Sequence, residues 1–228
     1  KMRKKKINWS AILNPEKITP VHTRAGVIAA TVRLPRKQAL GVYVGGGFIL
    51  TAAHCVTYDG NGAMALGDPF IEQVETSKGS YWTDVVAVEP VSDIAVLGAT
   101  ENDSLVDDWE KHLDFCNETR PVALLHRPRS FTGLTPVHIL TPTMKWVKGI
   151  TQVHTPGLST SEVSARESIM GGASGGPIID AAAQLVGITS IFSDPGPVGV
   201  SGPAPCPCCA LPGWIYKKIC AAVEKSGE

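Results

Sequence analysis

Gly45-Gly46-Gly47-Phe48-Ile49-Leu50-Thr51-Ala52-Ala53-His54-Cys55 is the stretch on which the fold turns. An apolar run leaves a glycine-rich kink and ends in two small residues and a histidine. Outward from it, short apolar alternations dominate and long helical periodicity is rare. Val27 to Leu34 reads as a strand closed by Pro35, and Gly41 to Leu50 as a strand through the kink. Tyr81 to Val88, Ile94 to Leu97, Val122 to Leu125 and Val137 to Leu140 read as further strands. Ile178-Ile179 and Leu185 to Ile191 read as a hairpin. Short strands bounded by Gly, Pro, Asp and Ser point to sandwiches or barrels. Two stretches favour a helix: Ser104 to Phe115, with Leu105, Trp109 and Leu113 four apart, and the C-terminal segment with Ile215, Ile219 and Val223. Asp114 to Pro121 reads as a polar connector. Ser193 to Gly213, rich in Pro and Gly, reads as an irregular surface loop.

Composition excludes several classes. Of 228 residues, 43% are hydrophobic and 18% charged, which is too apolar for general disorder. No apolar run approaches the ~18 residues of a spanning helix. The 23 Gly and 17 Pro are aperiodic, which excludes collagen and implies many turns. Basic and acidic residues balance at 21 each, but Lys1, Arg3, Lys4, Lys5 and Lys6 hold five of the positive charges. The remaining body is acidic, so no nucleic-acid partner is expected, and the basic start reads as a solvated terminus. Ile7 to Leu13 is short, polar-interrupted and followed by Pro15-Glu16-Lys17. That is a poor signal-peptide core, so a cytoplasmic location is expected over a secreted one.

The six cysteines are Cys55, Cys116, Cys206, Cys208, Cys209 and Cys220. Cys206-Pro207-Cys208-Cys209 is too tight for the usual zinc spacing and has no nearby His, so it reads as free thiols and no metal site is expected.

Two further islands complete the chemistry: Ser92-Asp93-Ile94-Ala95-Val96-Leu97, and Gly171-Gly172-Ala173-Ser174-Gly175-Gly176-Pro177. A serine hydroxyl is a weak nucleophile until a base in reach takes its proton. Histidine can take that proton and return it to a leaving amine. A carboxylate fixes the imidazole tautomer and stabilises the imidazolium. Asp84 and Asp103 are rival carboxylates, but neither precedes an Ile-Ala-Val-Leu strand. His22, His112, His126, His138 and His154 lack a comparable context and read as structural or exposed.

With these islands in the order His, Asp, Ser, the chain resembles the trypsin-like (chymotrypsin-fold) serine proteases over about residues 24 to 220. The resemblance implies an all-β fold of two antiparallel six-stranded β-barrels with a short C-terminal helix. Its divisions would be a basic extension 1–23, a first barrel 24–112 carrying His54 and Asp93, a linker 113–119, and a second barrel with the C-terminal segment, 120–228, carrying Ser174. It implies Ser174 as nucleophile, His54 as general base and acid, and Asp93 as orienting carboxylate. The N–H groups of Gly172 and Ser174 would form the oxyanion hole. A specificity pocket would have Ser168 at its base, Ser190, Ile191 and Phe192 on one wall, and Gly213 near the other. With no Asp at that base, cleavage after Lys or Arg is not expected. Phe192 would narrow the slot towards small or medium apolar residues. The partners implied are protein or peptide substrates, with no cofactor.

The pattern also breaks. Ala173 stands where digestive relatives carry the aspartate that pairs with a newly cut N-terminus, and no Ile-Val-Gly-Gly start is visible. The chain is therefore closer to the bacterial non-zymogen branch, and an activating partner protein is compatible with it. Cys55 lacks its usual partner on the preceding strand and is expected as a free buried thiol. Cys116 and Cys220 fall near positions that some relatives bridge by a disulfide. The alternatives are a catalytically silent binding module of the same fold and a general quality-control protease.

Overall fold

The computed structural model describes residues 18–56, 71–125, 134–152, 159–169, 171–190 and 200–223. Its first half is the expected barrel. Strands β1 (Thr31–Leu34), β2 (Ala39–Gly45), β3 (Phe48–Thr51), β4 (Ile71–Thr76), β5 (Gly79–Glu89) and β6 (Ile94–Ala99) close in the order β1-β2-β3-β6-β5-β4. The stretch Gly41 to Leu50 is two strands rather than one, because the chain reverses through Gly46-Gly47 and pairs Val42 with Leu50 and Tyr43 with Ile49. Every residue of β2 is buried. It therefore carries apolar residues continuously instead of alternating, as expected for a strand covered on both faces.

Val27 to Ala29, expected as strand, belongs to a helical turn, α1 (Arg24–Ala29). The Thr23 hydroxyl accepts the Gly26 N–H at 3.1 Å, and this local cap outweighs the β-branched character of Val27 and Ile28. The strand proper starts at Thr31.

The predicted central helix is present as α2 (Val106–Glu118), so the expected linker 113–119 is largely its C-terminal end. The helix lies on the first barrel, burying His112 and Phe115. Phe115 meets Tyr43 edge-on at 5.7 Å between ring centroids. His112 is fully buried, bonds the Gly47 carbonyl through Nε2 at 3.0 Å and stacks edge-on against Tyr81. Burial lowers its pKa from the usual value to about 4. The unfolded chain therefore takes up a proton near pH 6.5 that the folded chain refuses until about pH 4, and stability falls as pH drops through that window. The span corresponds to roughly 3 kcal/mol. Replacing His112 by Phe should flatten this acid loss. Melting temperatures between pH 7 and 4 check it, and a variant as acid-sensitive as the parent would refute it.

After α2 the chain crosses to the second half. Val122 to Leu125, expected as a strand, makes only isolated bridges, Val122 with Val21 and Leu124 with Leu185. It is shared between the halves: the Val122 N–H reaches the Tyr43 carbonyl at 2.9 Å and the Leu125 N–H reaches Leu185 at 3.1 Å.

Strands β7 (Leu134–Leu140), β8 (Trp146–Gln152), β9 (Thr160–Ala165), β10 (Pro177–Ile179), β11 (Leu185–Ile188) and β12 (Val200–Pro205) form the second, nearly closed six-stranded barrel, ordered β11-β10-β7-β8-β9-β12. Val137, Ile139, Val147, Val163, Ile178 and Ala204 fill its core. β12 lies inside the stretch read as irregular. It runs at the end of the sheet and pairs along one side with β9. Pro203 and Pro205 share one parity, so their missing N–H groups can face the side that needs no ladder bond.

The chain ends in a single turn, α3 (Pro207–Ala210), and the predicted C-terminal helix, α4 (Gly213–Ala222). Ile215 and Ile219 are buried, and Trp214 meets Phe48 of the first barrel edge-on. All six cysteines are free, including Cys55, which is buried as expected, and Cys116 and Cys220. No helix among the described residues is long and apolar enough to cross a membrane.

Candidate active site

His54 sits in a single 3-10 turn, Ala53–Cys55, directly after β3. The two alanines before it are fully buried, while its own side chain stays 42% exposed. The turn brings His54 beside the loop between β5 and β6. There Asp93 accepts twice from the histidine: Oδ1 from the backbone N–H at 2.9 Å and Oδ2 from ring Nδ1 at 2.8 Å. The imidazole therefore carries its proton on Nδ1 and leaves Nε2 as the acceptor. The hydrogen bond to Asp93 is the main cause, and the neighbouring Cys55 the second, of a His54 pKa raised above the ordinary value. Burial works to raise the pKa of Asp93, but the bonds from His54 and Ser190 outweigh it and hold the carboxyl below its usual range.

Two features of this loop were not read from the sequence. Asp93 has φ of +59°, a left-handed conformation that Asp tolerates better than most side chains. The loop is also braced by Glu89. Its carboxylate accepts the Val91 N–H at 3.1 Å and the Ser92 N–H at 2.8 Å, together with the Ser92 hydroxyl. Burial alone would raise the Glu89 pKa, and these bonds overcome it and lower it. The signal available in the sequence was the Glu-x-x-Ser spacing ahead of Asp93. Glu89→Gln should cost about tenfold in kcat, roughly 1.4 kcal/mol, with KM little changed. Steady-state kinetics check this, and an equal loss in stability with unchanged kcat would assign Glu89 a purely structural role.

Ser190, expected in the pocket wall, points its hydroxyl at Asp93 Oδ2. The carboxylate is thus held by donors from both barrels. Asp84 and Asp103, the rivals, do other work. Asp84 is buried in β5 and accepts the Glu101 N–H at 2.9 Å, and Asp103 is in the exposed turn before α2. His138 meets Arg24 at 2.6 Å, and His126 and His154 lie outside the described residues.

Ser174 is presented by the loop before β10, which docks against the first barrel. The Leu40 N–H donates to the Ser174 carbonyl at 2.8 Å, and the Gly175 N–H donates to Thr189 at 2.7 Å. Gly172 and Gly175 both have positive φ, +92° and +78°. A Cβ at Gly172 would lie 2.9 Å from the Gln38 carbonyl oxygen, and one at Gly175 only 1.9 Å from that of Leu40. Glycine is therefore required on both sides of Ala173-Ser174 by close approach as well as by dihedral. Leu40, which receives this loop, is itself tied by the Thr51 hydroxyl at 2.7 Å, three residues before His54. Among the described residues no hydrogen bond joins the Ser174 hydroxyl to His54. Such contacts often tighten only when substrate binds.

Of the expected pocket residues, Ser168 is exposed ahead of the Ser174 loop, while Ile191 and Phe192 lie outside the described residues. Gly213, expected near the other wall, lies in the C-terminal segment. It starts α4, beside Trp214 and the first barrel, because Ile215 and Ile219 pull that segment into the core.

The arrangement supports base-assisted nucleophilic chemistry: a tautomer-locked imidazole, an oriented carboxylate from the same barrel, and a serine on a glycine-flanked loop from the other. Comparison with known proteins agrees with this. The family model described as Trypsin matches residues 21–202. No curated protein matches the chain. Among solved structures, the Rv3671c protease in its inactive form aligns at 16% identity, covering 82% of this chain and 87% of that one, with a TM-score of 0.51. The active form of Rv3671c from M. tuberculosis aligns at 15% identity, covering 92% and 91%, with a TM-score of 0.51. At such identities these structures speak for the fold alone. The family model, the two six-stranded barrels and the His54–Asp93 pair together place this chain in the trypsin family: it is a serine endopeptidase of the chymotrypsin fold.

Proposed function

We propose that the chain cleaves peptide bonds with Ser174 as nucleophile, His54 as general base and acid, and Asp93 as the carboxylate that orients the imidazole. The observation that carries this reading is the pair of bonds from His54 to Asp93, which leaves Nε2 free to take a proton. Ser174 Oγ attacks the scissile carbonyl as its proton passes to His54 Nε2. The tetrahedral oxyanion is received by the N–H groups of Gly172 and Ser174. His54 then protonates the leaving amine, and water releases the acyl group by the reverse sequence. One oxyanion donor is worth ~3 kcal/mol of transition-state stabilisation. A fluorophosphonate probe should label the native chain once, at Ser174, and leave Ser174→Ala unlabelled. A chain that stays unlabelled whether or not a protein partner is present would point to a silent binding module.

The finer reading concerns substrate and control. Ser168, a neutral residue at the expected pocket base, argues against cleavage after Lys or Arg, and the bulk of Phe192 favours small or medium apolar residues. A peptide library cut mainly after basic residues would contradict it. Control by a partner protein, in place of N-terminal cleavage, is supported by Ala173. It is buried beside the nucleophile and offers no carboxylate for a new N-terminus to pair with. The isolated chain should then turn over unfolded casein slowly, and vigorous unassisted turnover would instead favour a general quality-control protease.

A further inference from the structure

Cys206, Cys208 and Cys209 take no part in the chemistry above. Read from spacing alone, they offer three sulfurs and no histidine, one ligand short of a closed structural zinc site. The fold gathers them. β12 ends at Pro205, and the next residue, Cys206, donates its N–H to the Ser159 carbonyl at 2.8 Å. Pro207 then opens the single turn α3, and the N–H groups of Cys209 and Ala210 both return to the Cys206 carbonyl, at 2.9 and 2.8 Å. Ala210 and Leu211 are buried, so the turn is pinned to the core.

As a result Cys206 Sγ lies 3.3 Å from Cys208 Sγ, and Cys208 Sγ lies 3.7 Å from Cys209 Sγ. All three sulfurs fall within 4.8 Å of one another. Three sulfurs around one ion at a metal–sulfur distance of about 2.3 Å would stand roughly 4 Å apart. The thiols are thus close to ligand spacing without any rearrangement of the backbone. Cys206 and Cys208 are half-buried, and Cys209 is exposed, which leaves a route in from solvent.

We propose that Cys206, Cys208 and Cys209 hold a single soft, thiophilic metal ion, monovalent copper by ligand count. Thiolate donors select soft ions, and a three-sulfur set satisfies monovalent copper where zinc asks for a fourth ligand. Each thiol that ligates the ion releases its proton to solvent, and no electron is transferred. The ion would lock the end of β12 to the turn that leads into α4. This role is structural and stands apart from the proposed proteolytic mechanism.

The test is titration of the reduced full chain with monovalent copper, without oxygen, against a chromophoric copper chelator, with a parallel zinc titration. One equivalent of copper should bind, with near-ultraviolet thiolate-to-metal absorption and a higher melting temperature. Exposed Cys209→Ser should weaken binding at least tenfold. The triple change Cys206→Ser, Cys208→Ser, Cys209→Ser should abolish it, while Cys55→Ser and Cys220→Ser keep it. Circular dichroism and probe labelling of Ser174 report separately whether each variant is folded and whether the proteolytic site is intact. The proposal is overturned if the parent, its thiols verified as reduced, binds no more copper than the triple variant. It is equally overturned if Cys209→Ser binds as tightly as the parent. One equivalent of zinc in preference to copper would overturn the copper assignment.

Discussion

Asp93→Asn should lower kcat by about 10⁴-fold while the chain stays folded. The carboxylate accepts from the His54 backbone, from His54 Nδ1 and from Ser190. An asparagine can keep the backbone bond through its oxygen, but it then turns an NH₂ donor towards Nδ1. The imidazole proton moves to Nε2, the atom that must act as the base. The fold survives because Asn, like Asp, tolerates the left-handed backbone found at this position. The pH profile carries a second signature. His54 must be neutral to accept a proton, so activity rises as pH passes its pKa. Asp93 raises that pKa above the ordinary value of ~6.5. Removing the negative charge lowers it, so the residual activity of the variant should reach its plateau at a lower pH than the parent. Stopped assays of kcat/KM across pH 5 to 10 measure both effects. A loss smaller than tenfold, or a profile shifted upward, would contradict the role given to Asp93. Ser190→Ala, which removes one donor to the carboxylate, should produce a loss in the same direction and much smaller.

Gly175→Ala should be the most damaging single-methyl change in the site. Its Cβ would fall 1.9 Å from the Leu40 carbonyl oxygen and 2.3 Å from Thr51 Oγ1. Neither neighbour can give way cheaply. Leu40 is paired with Arg33 in β1, and its carbonyl accepts the Thr51 hydroxyl. The φ of +78° adds a further ~1 kcal/mol for any residue with a Cβ. The Ser174 loop must therefore lift from β2 and break the bond from the Leu40 N–H to the Ser174 carbonyl. Displacing a nucleophile by about 1 Å can cost ~100-fold, and the overpacking should take roughly 2–4 kcal/mol from stability. The control is Gly171→Ala. That glycine has open space around its would-be Cβ and no positive φ, so the variant should behave like the parent. Thermal melts and probe labelling of the pair distinguish the cases. Equal behaviour of the two variants would show that the docking of the loop on β2 does not matter.

The parts of the site that were legible in the sequence are those encoded within a few residues. The small-residue step before His54, the strand after Asp93 and the glycines around Ser174 each describe a local backbone requirement, and together they identified the fold. The four-residue spacing of Leu105, Trp109 and Leu113 sufficed for α2, and Ile215 with Ile219 for α4. Other elements were invisible for physical reasons. β9 reads Thr-Ser-Glu-Val-Ser-Ala and buries Val163 and Ala165, too little apolar signal for a period of two. β12 carries two prolines that only a strand at the end of a sheet can accept.

The sequence by itself therefore determined the barrel architecture, the identity of the three residues proposed for catalysis and the absence of a carboxylate at position 173. The tertiary structure alone decided the rest. It put Ser190 on Asp93 across 97 positions of chain, placed Gly213 at the head of α4, and drew three cysteine sulfurs into one cluster. Barrel closure and core packing produce the first two placements, while the third comes from the turn α3, whose bonds return to the Cys206 carbonyl and whose end is pinned by buried Ala210 and Leu211. Closure and packing act between residues far apart in the chain, and no pattern within a short window carries them.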